Sequence, residues 1–322
     1  MNETKKLTES ALLCSLFAII TIMAVGSGIG YSIYIDFIVP IFFAIVCIKC
    51  ELKYTVLSGI TSFFIVSLVL GNIGTSIWIS QSIILGIMCG MFILKPTLII
   101  DDIVYTSIIG VALMVFIDVY FSTLIGYSFI KEFQQYAQKL LYKEYIDIMY
   151  YMLIALFPLG TVFSIYFLTL LLGNKIHILK GNPKKKLSMI RNFKSLGRFI
   201  CCSKKVFYTS LTYIISIEFI KILGINIDFV YLKTILISSQ YICIYFVLRD
   251  SYISIQNYII SKYEKIVYAR ILTLITIISL VLIFEITSIV LVTLGVILDL
   301  KINTRIQQIN IVNNYVDYLV KK

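Results

Sequence analysis

From Tyr54 to Leu94 the chain runs 41 residues without one Asp, Glu, Lys or Arg. A bilayer core needs about 20 consecutive apolar residues to be crossed by a helix, so this run is long enough for two crossings. Gly71-Asn-Ile-Gly-Thr75 sits near its middle and supplies the turn between them. Two further uncharged runs, 11–35 and 148–173, have the same character. With a hydrophobic fraction of 60% and a charged fraction of 14%, a water-soluble chain of this length could not cover its core. Globular proteins carry about 25% charged residues. Lipid is the solvent these residues imply, and closed helical hydrogen bonding is what lipid demands of them.

The expectation is an all-α, polytopic transmembrane helical bundle of about ten spans, with eight or nine as alternatives. The spans are placed near 8–28, 31–49, 54–70, 76–94, 103–126, 148–173, 206–224, 229–248, 267–283 and 286–300. The last two have short uncharged cores separated by Glu285, so one long tilted helix is an alternative there. Six of these spans fall in 1–174 and four in 206–300, with a basic loop over 175–205 between them and a tail over 301–322. Residues 131–147 carry mixed charge at helical spacing and read as an outer-face amphipathic helix or cap.

Cations set the orientation. Starting the N-terminus inside and alternating through ten spans puts 23 of the 28 Lys and Arg residues on the inner side, leaving Lys131, Lys139, Lys143, Lys221 and Lys233 outside. The positive-inside rule therefore gives an N-in, C-in topology; the cell (plasma) membrane, the cytoplasmic membrane of a bacterium, is the expected location. The net charge of +11 does not imply nucleic acid, because the cations lie between apolar spans and not on a basic domain. The densest block, 174–205, holds ten cations and no acid. Within it Leu187, Ile190, Phe193, Leu196 and Phe199 recur every third residue, with Arg191, Lys194 and Arg198 interleaved and Lys184, Lys185 and Lys186 preceding them. Such a helix suits an interface with membrane lipids or a cytoplasmic partner.

No catalytic or cofactor motif is legible. The one histidine, His177, falls in the basic loop, and Gly181-Asn-Pro-Lys-Lys-Lys lacks the second glycine and the hydroxyl of a phosphate loop. An enzyme is not expected, and neither is a cofactor or a metal. Cys47-x-x-Cys50 and the adjacent Cys201 and Cys202 would lie on one side of the membrane, but adjacent thiols chelate poorly compared with spaced ones. Ionisable residues within spans are the stronger signal, since their cost in lipid usually confines them to bundle interiors or aqueous cavities. Asp36, Asp118, Glu218, Lys221, Asp228 and Lys233 all map to the outer half and form a candidate polar pocket. Glu218 and Lys221 share a helix face and can pair. Small residues mark packing or partner-docking faces: Ala11, Ser15 and Ala18 on the first helix, Gly86 and Gly90 on the fourth.

Thr8-Glu-Ser-Ala-Leu-Leu-Cys-Ser-Leu-Phe-Ala18, with Pro40, Gly59, Gly71 and Leu85-Gly-Ile-Met-Cys-Gly90, resembles the S components of energy-coupling-factor transporters. Ser239-Gln240 and Leu294-Gly-Val-Ile-Leu-Asp299 followed by Arg305 resemble the YybS-like family of bacterial integral membrane proteins. Ser15 stands where S components usually have a second alanine, and Tyr241 where a glycine is expected. The resemblance implies a membrane component that captures a small solute from outside. A separate transmembrane coupling protein with ATPase subunits would dock on helix one and energise release. A scaffold or regulatory protein using the basic loop, and a self-sufficient secondary transporter, are the alternative readings. The ligand itself is not legible.

Overall fold

The computed structural model describes residues 3–28, 33–125, 128–138, 143–224 and 229–321. Its 13 α-helices make it 90% helical, with no strand among the described residues. Helix α1 is Glu3–Ser27, and a π-helical turn at Tyr34–Ile38 leads into α2, Val39–Leu70. There follow α3 (Ile73–Leu94), α4 (Ile99–Ile125), α5 (Phe129–Gln138) and α6 (Lys143–Lys175). Next come α7 (Asn182–Arg191), α8 (Phe193–Leu196), α9 (Lys204–Ile222) and α10 (Val230–Tyr263). The chain ends with α11 (Ile266–Leu282), α12 (Phe284–Ile302) and α13 (Thr304–Lys321).

Among the described residues, five helical stretches are long and apolar enough to cross a membrane: Glu3–Ser27, Ile73–Leu94, Ile99–Val119, Ile146–Lys175 and Val230–Tyr263. Large apolar side chains also cover outward faces, Leu68 being 82% and Val281 80% exposed. Water would not tolerate that surface on a folded monomer, whereas acyl chains would. The molecule is an α-helical membrane protein.

Backbone breaks account for most departures from the expected spans. Glu51, at φ 71° and ψ 164°, divides α2 into two helical halves. Gly71 in the left-handed region ends the second half, and Asn72 caps α3 by accepting from the Thr75 N–H at 3.2 Å. Pro40 is in the first turn of α2, where its missing N–H is harmless. The segment expected as an amphipathic helix or cap, 131–147, is divided: its first part lies in the separate helix α5, which ends at Gln138, while Lys143 to Asp147 open the long helix α6. Helix α10 continues 15 residues beyond the expected end at 248, because no glycine or proline interrupts it before Tyr263. Residues 267–300 form two helices, broken at Ile283 (φ −140°, ψ 70°). The tail is helical too, entered through a left-handed Asn303.

The chain divides into two compact units. Unit one comprises Met1–Thr97, Asp102–Lys186 and Ile227–Ser239. Its core joins Phe17 and Ala18 of α1 to Tyr34, Val39, Phe43 and Ile83, with Phe17 edge-on to Phe43 at 4.9 Å. Glycines set the closest approach. A Cβ on Gly86 would fall 2.3 Å from the Pro40 carbonyl oxygen, and one on Gly90 2.6 Å from the Cys47 Cβ. Gly86-x-x-x-Gly90 therefore lets α3 lie directly on α2. Unit two comprises Leu98–Asp101, Leu187–Asn226 and Gln240–Lys322. There α13 buries Arg305, Gln308, Val312 and Val316, one helical face.

Candidate functional site: two buried ionic networks

The first network belongs to unit one and starts from Lys186, in the middle of α7. Its ammonium donates to the carbonyl oxygens of Phe92 and Lys95, each at 2.8 Å, and to Asp102 Oδ2 at 2.7 Å. Asp102, in the first turn of α4, also accepts from the Tyr166 hydroxyl at 2.7 Å and from the Thr97 hydroxyl. All three ammonium protons are thus used, and the two carbonyls terminate α3, where cations are favoured. Asn182, at the start of α7, donates to the Leu94 carbonyl at 3.1 Å. This is a tie, with its polar atoms matched.

Lys186 therefore does not belong with the exposed basic residues, as the sequence pattern suggested. It is 3% exposed, whereas Lys184, Lys185, Arg191, Lys194 and Arg198 are exposed. The expected apolar stripe is also broken. Asn192 interrupts the helix between α7 and α8, so that Leu187 and Leu196 are buried but Phe193 is exposed.

The second network belongs to unit two and collects around Asp250, which is fully buried within α10. Asp250 Oδ2 accepts from the Cys202 N–H at 2.6 Å and from Arg305 Nη1 at 2.9 Å, while Oδ1 accepts from Arg249 at 2.9 Å. Arg305 also donates to the Cys202 carbonyl at 3.1 Å, and its guanidinium stacks 3.9 Å over the Phe207 ring. Arg249 reaches the Ile200 carbonyl at 3.1 Å, and Asp101 accepts from the Ser203 N–H at 2.8 Å. One physical task explains these bonds. Residues 201–203 are not helical, so their buried backbone groups need partners that the fold does not otherwise supply. Ser203 then caps α9 through the Val206 N–H at 3.3 Å.

A second layer of this network has no such task. Asp299 Oδ2 accepts from the Tyr208 hydroxyl at 3.2 Å and lies 3.9 Å from Arg305 Nε, too far for a hydrogen bond. Asp299 Oδ1, Arg305 Nε, the hydroxyls of Ser251, Ser254 and Thr304, and both amide atoms of Gln308 are buried without a partner among the described residues. Most buried polar groups in folded proteins are satisfied, so an accumulation of this kind calls for an explanation. Gly295 brings α12 against α10 at this point; a Cβ there would stand 2.7 Å from the Ser251 hydroxyl.

The candidate polar pocket is distributed differently. Asp36 accepts from the Trp78 indole N–H at 2.9 Å, and buried Asp118 accepts from the Ser128 hydroxyl at 2.6 Å; both are in unit one. Lys233 is exposed, and Asp228 lies outside the described residues. Glu218 and Lys221, in unit two, pair at 2.8 Å, and Gln240 bridges them at 2.6 and 3.2 Å. On α1, Ala18 is buried with Cys14 and Phe17, while Ala11 and Ser15 remain exposed. An apolar cleft of about 420 Å³ between the second half of α2 and α3 is lined by Val56, Ile60, Phe63 and Ile87; it offers nothing to a charged solute.

Sequence reasoning passed over Asp102, Asp250, Asp299 and Arg305 as functional groups. Asp102 and Asp250 fall just outside the expected spans 103–126 and 229–248, where a charge draws no attention, and the arginines counted only towards the charge bias. Asp299 and Arg305 stood only in the segment carrying the YybS-like resemblance. Among the described residues no group of three or more His, Cys, Asp or Glu side chains is placed to hold a metal. Burial and then the Asp250 charge push the Cys201 thiol up to about 12, the protonated, unreactive state of a structural cysteine. No family model, curated protein or solved structure matches the chain.

Proposed function

We propose that this protein is a multi-pass component of a bacterial cytoplasmic membrane that binds a small polar solute within its helices and is energised by separate partners. Ten crossings follow if α1, the two halves of α2, α3, α4, α6, α9, the first part of α10, α11 and α12 each span, with both termini cytoplasmic. The observation that carries the reading is the second layer around Asp299 and Arg305. Ionised groups inside an apolar helical bundle are retained for ligand or ion handling more often than for stability. Here they come with buried donors and acceptors that the fold leaves unmatched. The absence of a phosphate loop in the sequence is why energy is assigned to a partner. The resemblance to S components, carried by the first half of the chain, supports the assignment of energy to a partner and not the position of the site.

Purification in mild detergent, with mass spectrometry of retained small molecules and proteins, tests this reading. The expected result is an enriched polar solute, lost from an Arg305→Met variant, and an ATP-hydrolysing partner. Recovery of neither from native membranes would remove the proposal.

A scaffold reading has one observation in its favour. The clasp of Lys186 onto Asp102 and the end of α3 holds the start of α7, while Lys184, Lys185, Arg191, Lys194 and Arg198 remain exposed. Replacing Lys184, Lys185, Arg191, Lys194 and Arg198 by Gln would abolish binding to anionic vesicles and the cellular phenotype if this is the main role. A retained phenotype would exclude it.

A further inference from the structure

We propose that the cleft between the second half of α2 and α3 seats one acyl chain of an anionic phospholipid whose phosphate is held by Lys53 and Lys95. The site lies wholly within unit one and is independent of the solute-binding reading.

Shape comes first. The cleft holds about 420 Å³, and Ser80 alone among its described lining residues has a polar side chain. Gly59 forms its floor, where a Cβ would stand 3.0 Å from Ile83 and 3.3 Å from Ile87. Ile60, Phe64 and Ile84 stand exposed at its rim. A groove this apolar offers water no partners. Left empty, its walls would forfeit their dispersion contacts. Hydrocarbon is the occupant it suits, and α3 is apolar enough to lie in lipid.

Charge at one end turns a hydrocarbon groove into a site for a particular lipid. The two helices run antiparallel from the turn at Gly71 and Asn72, so Lys53 and Lys95 come to the same end. A close contact fixes that level: a Cβ on Gly90 would fall 2.6 Å from the Cys47 Cβ, and Lys53 follows Cys47 by six residues and Lys95 follows Gly90 by five. Both lysines also share the lining face of their helix. Lys53, Ile60 and Phe64 are spaced by seven and four residues, and so are Lys95, Met88 and Ile84, the spacing of one helical row. At 1.5 Å per residue the lysines stand about 5 and 10 Å beyond the nearest lining residues of their rows, Val56 and Met88. That interval suits the glycerol and phosphate above an acyl chain.

These two cations are also the ones left over. Lys6 and Lys49, at the same end, pair with Glu51 and Glu9. Lys53 and Lys95 are exposed, have no acidic partner among the described residues, and lie over the Tyr54 and Phe92 rings at 5.7 and 5.1 Å. A phosphodiester supplies the missing anion. A zwitterionic lipid would bring its own cation to the pair, so an anionic headgroup is favoured.

The test uses the full-length protein, delipidated in an uncharged detergent at constant ionic strength. It is titrated with dioleoyl phosphatidylglycerol, dioleoyl phosphatidylcholine or glycerol phosphate. Unfolding midpoints report binding to the folded state, and native mass spectrometry counts retained lipid. The expected result is a midpoint that rises with phosphatidylglycerol, saturates at one retained lipid and ignores glycerol phosphate. Lys53→Gln/Lys95→Gln should need roughly thirtyfold more phosphatidylglycerol, about fivefold for each cation near a headgroup. Ile84→Trp, a change at the exposed rim, should abolish the one-lipid plateau and leave the lipid-free midpoint where it was. Lys184→Gln/Lys185→Gln, in the basic segment, should titrate like wild type. Equal affinity for the two lipids would overturn the proposal, as would a response to glycerol phosphate alone or an unaltered titration in either cleft variant. A lipid-free dimer that Ile84→Trp dissociates would assign the cleft to a second copy of the chain and overturn it as well.

Discussion

Replacing Lys186 by Met removes one charge from a place where nothing can substitute for it. The ammonium uses all three protons, on Phe92, Lys95 and Asp102, and its carboxylate partner is completely buried. After the change Asp102 keeps only the hydroxyls of Tyr166 and Thr97, and two carbonyls at the end of α3 lose their donor. Removing one partner of a buried ion pair costs about 3–5 kcal/mol, against a total stability of about 5–15 kcal/mol for a typical protein. Lys186→Met should therefore unfold at much lower denaturant than wild type. Lys184→Met, which touches an exposed cation two residues away, should stay within about 0.5 kcal/mol. The double variant Asp102→Asn/Lys186→Met removes the uncompensated charge and should recover about 2 kcal/mol of the loss. Equilibrium unfolding in detergent micelles gives all four corners of this cycle. Equal stabilities for Lys186→Met and Lys184→Met, or a coupling energy near zero, would refute the reasoning that this pair ties α7 to the bundle.

Three further outcomes are expected. Gly86→Val should lower stability by about 1–3 kcal/mol, because the added Cβ meets Pro40 backbone that cannot yield, whereas Gly160→Ala, with open space around it, should be nearly neutral in the same unfolding assay. Arg305→Lys should destabilise by about 2 kcal/mol despite keeping its charge, since a lysine cannot bond Asp250 and the Cys202 carbonyl together while lying flat on Phe207; wild-type stability would show the fork to be dispensable. Cys201 should resist maleimide at pH 8 in the folded protein and react on unfolding, which mass spectrometry can count. Its thiol is raised from the ordinary value to about 12, so folding favours the neutral form, and its contribution to stability is lost as pH rises above the unfolded thiol's pKa of about 8.5.

The membrane-spanning character was legible because charge-free runs report directly on solvent. Gly71 was legible as a break because it is the one glycine where the run must turn. Glu51 was not, since nothing in a glutamate announces a positive φ. The Gly86/Gly90 stripe announced close packing but not its partner, which only the fold identifies as Pro40, Ala44 and Cys47. Lys186 stood in a row of three lysines of which one turned inward. Local sequence cannot single out that member, because its role depends on Asp102, 84 residues away. Arg305 and Asp250 are 55 residues apart and were separately plausible as flanking charges. Long-range pairing of this kind leaves no periodic trace.

Sidedness is the claim on which the rest depends: the basic segment and the ends of α4 and α10 that carry the buried networks are placed on the cytoplasmic side. The native cysteines are all buried, so cysteines introduced singly at exposed Ser27 and Ser195 give a clean readout with a membrane-impermeant maleimide. The account predicts that Ser27→Cys labels in intact cells and that Ser195→Cys labels only after permeabilisation. Labelling of Ser195→Cys from outside an intact cell would contradict it.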